Sequence, residues 1–278
     1  MKLIRIILSL LIVAFLLVDC NRPEKTVAET EQNGGEEPGG GGNEPGPGGD
    51  EPGGGDEDPH PGFVEEPDDN TTDLNQSFDY SVLAAAGHPR LLMNEEGFAK
   101  LKRRLGAEKA SNVTLCKIHH EIIVQAQSLA SKAAVVSDPS SHEDNVKELL
   151  CLAYAWRTTG GSSYLKKIHN NLAQIIKWTS LGSSFLGIGE QSLALAIVYD
   201  WCYYELSLEE RKGLHKLLMD KSITPSMNDG FRDCYGNWNQ VGNGGVMSAA
   251  LALYEKDKRK CSSNIERASS TTRRCLQR

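Results

Sequence analysis

Several features that would fix a function class are missing from this 278-residue chain. Its longest apolar run, Ile6 to Val18, is too short to span a bilayer comfortably. Its seven cysteines include no CxxC pair and no cysteine–histidine spacing suited to zinc, so no metal and no cofactor is implied. There is no basic face with interleaved aromatics, which removes the argument for nucleic acid as a partner. From Met93 onward no stretch reads as a convincing strand. No repeat of fixed length recurs, which excludes a tetratricopeptide array. Residues 21–73 contain almost no apolar side chains and cannot bury enough surface to fold.

What is present begins with an export signal. Lys2 and Arg5 precede the apolar run, and Leu17-Val18-Asp19-Cys20 puts a cysteine where a bacterial lipoprotein signal carries its cleaved and lipidated residue. Asp19 departs from that pattern, because the residue before the cysteine is normally small and uncharged. The expectation is a chain exported to the periplasm or outer membrane and held to the membrane by a lipid on Cys20. Residues 21–79 then form a Gly/Pro-rich acidic tether. Residues 21–73 alone carry 16 acidic and two basic side chains, a net of −14, whereas the whole chain carries −7. Like charges extend such a linker and hold a domain away from a surface. Residues 255–278 carry 8 basic and 3 acidic side chains, so the body between is close to neutral and its charge names no partner.

The body, residues 80–254, reads as successive helices. Asn94 caps a helix over 95–105 that stops at Gly106. The next runs from Ser111 to about Val135, with His119-His120 in its middle on a partly apolar face, where core or surface histidines outnumber ligands. A third covers about 143–158, and a fourth, capped by Ser162 or Ser163, reaches Lys177. Gly182 to Gly189 reads as a loop. The fifth helix, about Glu190 to Tyr204, is apolar on nearly every side and is expected to be an inner one. Ser207-Leu208-Glu209-Glu210 is a capping box opening a sixth helix that runs to about Lys221. Cys151 and Cys202 fall in apolar runs as small core residues. Buried helices alternating with amphipathic ones across short turns give the fold class, all-α, an array of helical hairpins.

The stretch Tyr235 to Gly245, YGNWNQVGNGG, carries the candidate chemistry. Amides and glycines are poor helix formers, so it reads as a loop entering a helix over Val246 to Tyr254. Asn237, Asn239, Gln240 and Asn243 can bond a carboxylate or sugar hydroxyls without adding charge, and Trp238 can stack on a sugar ring. The amides are equally suited to capping the next helix. Asp200, between Tyr199 and Trp201, is either a sugar-binding carboxylate or a helix-end bond. Glu190 either faces a cleft or serves the helix dipole in a first turn. Beyond Tyr254 the apolar periodicity collapses into CSSN and SSTTRR, so residues from about Lys258 are expected to be a disordered, aberrant basic tail.

Four segments in this order, His88-Pro89-Arg90-Leu91-Leu92, Tyr199-Asp200-Trp201, Leu206-Ser207-Leu208-Glu209-Glu210-Arg211 and Asn237-Trp238-Asn239-Gln240, resemble the N-terminal toroid of heparinase II/III-like polysaccharide lyases over residues 80–254. The resemblance implies an incomplete (α/α) toroid and β-elimination on an acidic, uronic-acid polysaccharide. In the family an Asn, Gln or His neutralises the uronate carboxylate, a Tyr or His takes the C5 proton, and a Tyr or His protonates the leaving oxygen. Asn239, with Gln240 beside it, matches the neutralising position. Asn237, Trp238, Asn243, Glu190 and Asp200 are then candidate substrate contacts. The family's tyrosine lies several dozen residues beyond the motif, so the 278 residues are expected to be a truncated, inactive part; Tyr235 is the substitute base. A hydrolase using Glu190 and Asp200 as its acid and base, or a non-catalytic glycan binder, are the other readings.

Anchoring is testable directly. Cys20→Ser should move the protein from the membrane fraction to the soluble one, and the native chain should take up an acyl label; unchanged fractionation without label excludes the anchor.

Overall fold

The computed structural model describes residues 78–106, 113–133, 142–228 and 237–276. Every regular element among these residues is helical: α1 (Tyr80–Ala85), α2 (Glu95–Gly106), α3 (Val113–Ala130), α4 (His142–Thr159), α5 (Ser162–Ile175), α6 (Phe185–Trp201), α7 (Leu208–Leu218), a π-helical turn (Met219–Ile223), α8 (Thr224–Ser226), α9 (Asn237–Leu253) and α10 (Lys258–Leu276). None of these helices is long and apolar enough to cross a membrane.

Three helices make the centre. α6 packs against α4 on one side and α9 on the other, α3 and α5 cover α4, α7 lies against α6, and α10 covers α9. The sequence explains the layering. α6 is apolar on nearly every side and is buried from Ala194 to Trp201 without interruption, as an inner helix must be. α5 buries one stripe, Tyr164, Ile168, Leu172 and Ile175, and also Lys167, whose ammonium lies 3.1 Å from Glu148 on α4. Asn171 donates to the same carboxylate at 2.7 Å, so the buried charge is paired and bonded. Arg157 of α4 bridges to Glu95 at 2.6 Å and lies over the Phe98 ring, tying α2 down.

Local signals read from the sequence appear as atoms at two helix starts. The Asn94 side chain accepts from Gly97 N, and Ser207 and Glu210 form both halves of the capping box. Other boundaries differ. α3 is five residues shorter than expected at its C-terminal end. α5 is preceded by Gly161 with no side-chain cap, so neither Ser162 nor Ser163 has that role. α6 begins at Phe185, capped by Ser184, and takes in Gly187 and Gly189, which the sequence assigned to a loop. α7 ends at Leu218 and passes into a π turn whose Met219, Ser222 and Ile223 are buried.

Two corrections are larger. The glycine-rich amide stretch is no loop: residues 237–245 are the first half of α9. A Cβ on Gly189 would stand 2.6 Å from Gly242 Cα, and one on Gly245 would stand 1.8 Å from Gly189 O. One on Gly242 would enter the Phe185 ring. These glycines let the backbones of α6 and α9 touch, and that packing outweighs their poor helix propensity of about 1 kcal/mol each. The segment from Lys258 is a 19-residue helix and not a disordered tail. Cys261, Ile265 and Ala268 recur at helical spacing, and Asn264, Arg267 and Thr271 are buried beside them, so a face of small and polar residues does the packing. α1 adds to the cover: Tyr80 stacks on Tyr254, 5.3 Å between centroids, and its hydroxyl donates to Ser262 O.

Gly245→Ala should lose at least about 3 kcal/mol, the upper range for overpacking, because the clash is with backbone. Gly244, whose Cβ would meet nothing within 4 Å, is the control; Gly244→Ala should gain about 0.5–1 kcal/mol. Denaturant midpoints of the two variants check this, and a neutral Gly245→Ala would refute the close crossing.

Candidate functional site

The amides predicted from sequence lie on the first turns of α9, but burial divides them. Trp238 is 45% exposed and Gln240 is exposed, whereas Asn239 is 1% and Asn243 0% exposed. Asn239 and Asn243, four residues apart, share one face of the helix. Asn243 Oδ1 accepts from Arg267 Nη2 at 3.3 Å. Asn239 Oδ1 is buried and meets no donor. A buried amide oxygen left so is uncommon, because the lost hydration costs about 1–3 kcal/mol. Such an acceptor suits a hydroxyl, and a guanidinium one turn along suits an anion.

Arg267 was missed in the sequence because its segment read as disordered. The signal was there: Asn264, Arg267 and Thr271 recur at three and four residues, beside the Cys261–Ile265–Ala268 stripe. Tyr235, the substitute base, and Cys20 lie outside the described residues, as does the side chain of Asn237.

Glu190 stands on α6 next to Gly189, in the second turn and nearly buried. The first-turn dipole explanation therefore lapses, since that effect fades within one turn. Gln191, fully buried, donates to Leu181 O at 3.1 Å and fastens the loop ahead of α6. His119 lies 3.1 Å from the Tyr154 hydroxyl and links α3 to α4. No cluster of three His, Cys, Asp or Glu able to hold a metal occurs among the described residues.

Asp200 is placed at the other end of α6 and is 0% exposed. His88 Nδ1 lies 2.6 Å from Oδ1, and the backbone N–H groups of Arg90 and Leu91 each donate to Oδ2 at 2.8 Å. Trp201 Nε1 donates to Leu91 O at 2.9 Å. Arg90 and His88 reach on to Glu255, just past α9, and Arg90 also donates to Ala252 O. The HPRLL segment is thus a strap across the ends of α6 and α9, and the Tyr-Asp-Trp motif is its anchor. With both oxygens so engaged, Asp200 is a structural residue and not a sugar contact. The strap also holds Leu92 at φ 61°, in a tight turn where Met93 N bonds Leu91 O at 2.6 Å.

The strap's charges are set by these partners. Burial disfavours a charged His88, but its bonds to Asp200 and Glu255 win and raise its pKa above the usual histidine value. Burial likewise opposes ionisation of Glu255, yet bonds from His88 and Arg90 lower its pKa to about 2.

No protein-family model matches this chain, and a search of the curated proteins finds no match.

The strap should give stability a particular pH dependence. A raised His88 pKa stabilises below its ordinary 6.5 and is lost as pH rises through the folded value; the lowered Glu255 pKa stabilises above its ordinary 4.5 and is lost toward 2. The stability difference between native chain and His88→Gln should therefore be largest between those ordinary values and shrink on either side. Asp200→Ala should cost about 3–5 kcal/mol, as for one partner removed from a buried pair. Urea unfolding across pH measures both, and a pH-independent difference for His88→Gln would contradict the assignment.

Proposed function

We propose that residues 80–254 form part of the helical cleft of an exported polysaccharide lyase that cleaves uronic-acid glycans by β-elimination. The observation that carries the reading is Asn239: an amide with an unpaired buried oxygen, on the first turn of an inner helix, one turn from the Arg267–Asn243 pair. A proton next to a carboxylate becomes acidic only when the charge growing on that carboxylate is stabilised. Asn239 would supply that stabilisation through its amide N–H, with its oxygen turned to a sugar hydroxyl. Trp238, exposed beside it, would stack on a sugar ring. Tyr235, ionised, is the candidate in this chain to take the C5 proton; the C4–O bond then breaks as a C4=C5 double bond forms, and the leaving oxygen takes up a proton, returned from Tyr235 or from water.

The order of helices is compatible with the (α/α) toroid that the resemblance implies: α6 packs against both α4 and α9, and α4 and α6 are each preceded in the chain by a more peripheral helix. The hydrolase reading is weakened. Glu190 and Asp200 are ten residues apart on one helix, about 15 Å along its axis, whereas paired glycosidase carboxylates stand about 5–9.5 Å apart. A binding protein without turnover stays as the second reading, favoured by the burial of Asn239.

Calorimetric titration of the 278-residue chain with alginate, chondroitin and heparan, followed by ultraviolet absorbance for unsaturated product, tests the proposal. Binding of uronate polymers is expected without turnover by the chain alone. Trp238→Ala should weaken it about tenfold, the equivalent of about 1.4 kcal/mol. Asn239→Asp should weaken it more than Asn239→Ala, because it sets like charge against the carboxylate. No binding to any uronate polymer defeats the proposal. Turnover that Tyr235→Phe abolishes assigns the base to Tyr235.

A further inference from the structure

At the end of α6 and α9 away from the amides, a cleft of about 220 Å³ opens beside the strap. Asn239 and Leu253 are 14 residues apart on α9, about 21 Å along the axis, so this cleft is not continuous with the amide face. Its walls include Arg211, Lys212 and His215 of α7, Lys256 from the turn after α9, and the rings of Tyr199 and Tyr203. No carboxylate lines it among the described residues. Of the acids that follow α7 or border Lys256 in the chain, Glu255 is bonded to His88 and Arg90, Asp220 to Lys216, and Asp257 lies 3.7 Å from Lys260.

Three permanent cations around one small concavity repel one another, and among the described lining residues no carboxylate faces them. Arg211 is fixed in place. Its Nη1 donates to Tyr203 O at 2.9 Å and its guanidinium lies 4.8 Å from the centre of that ring. The ring is itself held from below by His88, stacked at 3.9 Å. Among the described residues the bond to Tyr203 O is the hydrogen bond that Arg211 makes. Lys256 stands 5.9 Å from the same ring, and among the described residues neither it nor the exposed Lys212 is in an ion pair with a carboxylate. His215 adds a buried Nε2 without a partner. Capping α6 accounts for one N–H of Arg211, but not for the convergence of two unpaired lysines on it.

We infer that this cleft is a binding site for a tetrahedral oxyanion, sulfate or phosphate, free or borne as an ester on a group about one sugar ring in size. The rigid guanidinium supplies directed donors and the two lysines supply mobile charge. The volume lies below the range of about 300–1,000 Å³ usual for larger ligands, which fits a single headgroup. The site does not depend on the elimination reading.

Titration of the chain with sodium sulfate at low ionic strength tests this. Saturable binding is expected, with Lys212→Ala/Lys256→Ala raising Kd at least tenfold. Lys102→Ala/Lys117→Ala removes the same charge from exposed positions on α2 and α3 and should leave Kd within twofold, as should Asn239→Ala. Glucose 6-sulfate binding more tightly than inorganic sulfate assigns the anion to a saccharide ester, and equal affinity assigns it to the free ion. No saturable sulfate binding, or an equal loss in both double-lysine variants, overturns the inference.

Discussion

Backbone contact between α6 and α9 is the constraint on which the rest of the molecule depends. With Gly189, Gly242 and Gly245 stripped of side chains, the two helices approach until main-chain atoms touch. Their axes are then set by sterics that no rotamer change can relax. Everything of functional interest hangs on that pairing. The amides enter on the first turns of α9, Glu190 is the neighbour of the contact glycine, and the strap joins the far ends of the same two helices.

The same contact explains what could and could not be read from the chain. The inner character of α6 was legible because an unbroken apolar run needs no knowledge of its neighbours. Ser207 and Glu210 were legible because a capping box is complete within four residues. Gly242 and Gly245 misled because intrinsic propensity speaks only of an isolated helix, while the reasons for a bare Cα were the Phe185 ring and the Gly189 carbonyl, each more than 50 residues earlier. The helix α10 was hidden for a related reason: its buried face uses Asn264, Arg267 and Thr271, types that ordinarily mark a surface.

The candidate site was half visible. That Trp238 and the amides lie near one another could be read directly, since residues so close in sequence stay close in any fold. Their division into exposed and buried members followed from the helical turn, which the loop reading had not supplied. Asp200 shows the opposite limit. A carboxylate flanked by aromatics gives no hint of whether it meets a sugar or a backbone, and its partners, His88, Arg90 and Leu91, lie about 110 residues away.

That separation gives the strap a place in the folding order. Closing a loop of more than 100 residues carries an entropic cost that only a pre-formed partner can repay at once. The bonds from His88, Arg90 and Leu91 need Asp200 already fixed on α6, and those to Glu255 and Ala252 need α9 already beside it. The strap therefore has its partners only once the helix pair has assembled, which places its interactions late in the folding order. Interactions of that kind leave the folding rate nearly untouched and slow the unfolding rate. The strap is in this sense a kinetic lock, which would prolong the life of the folded chain.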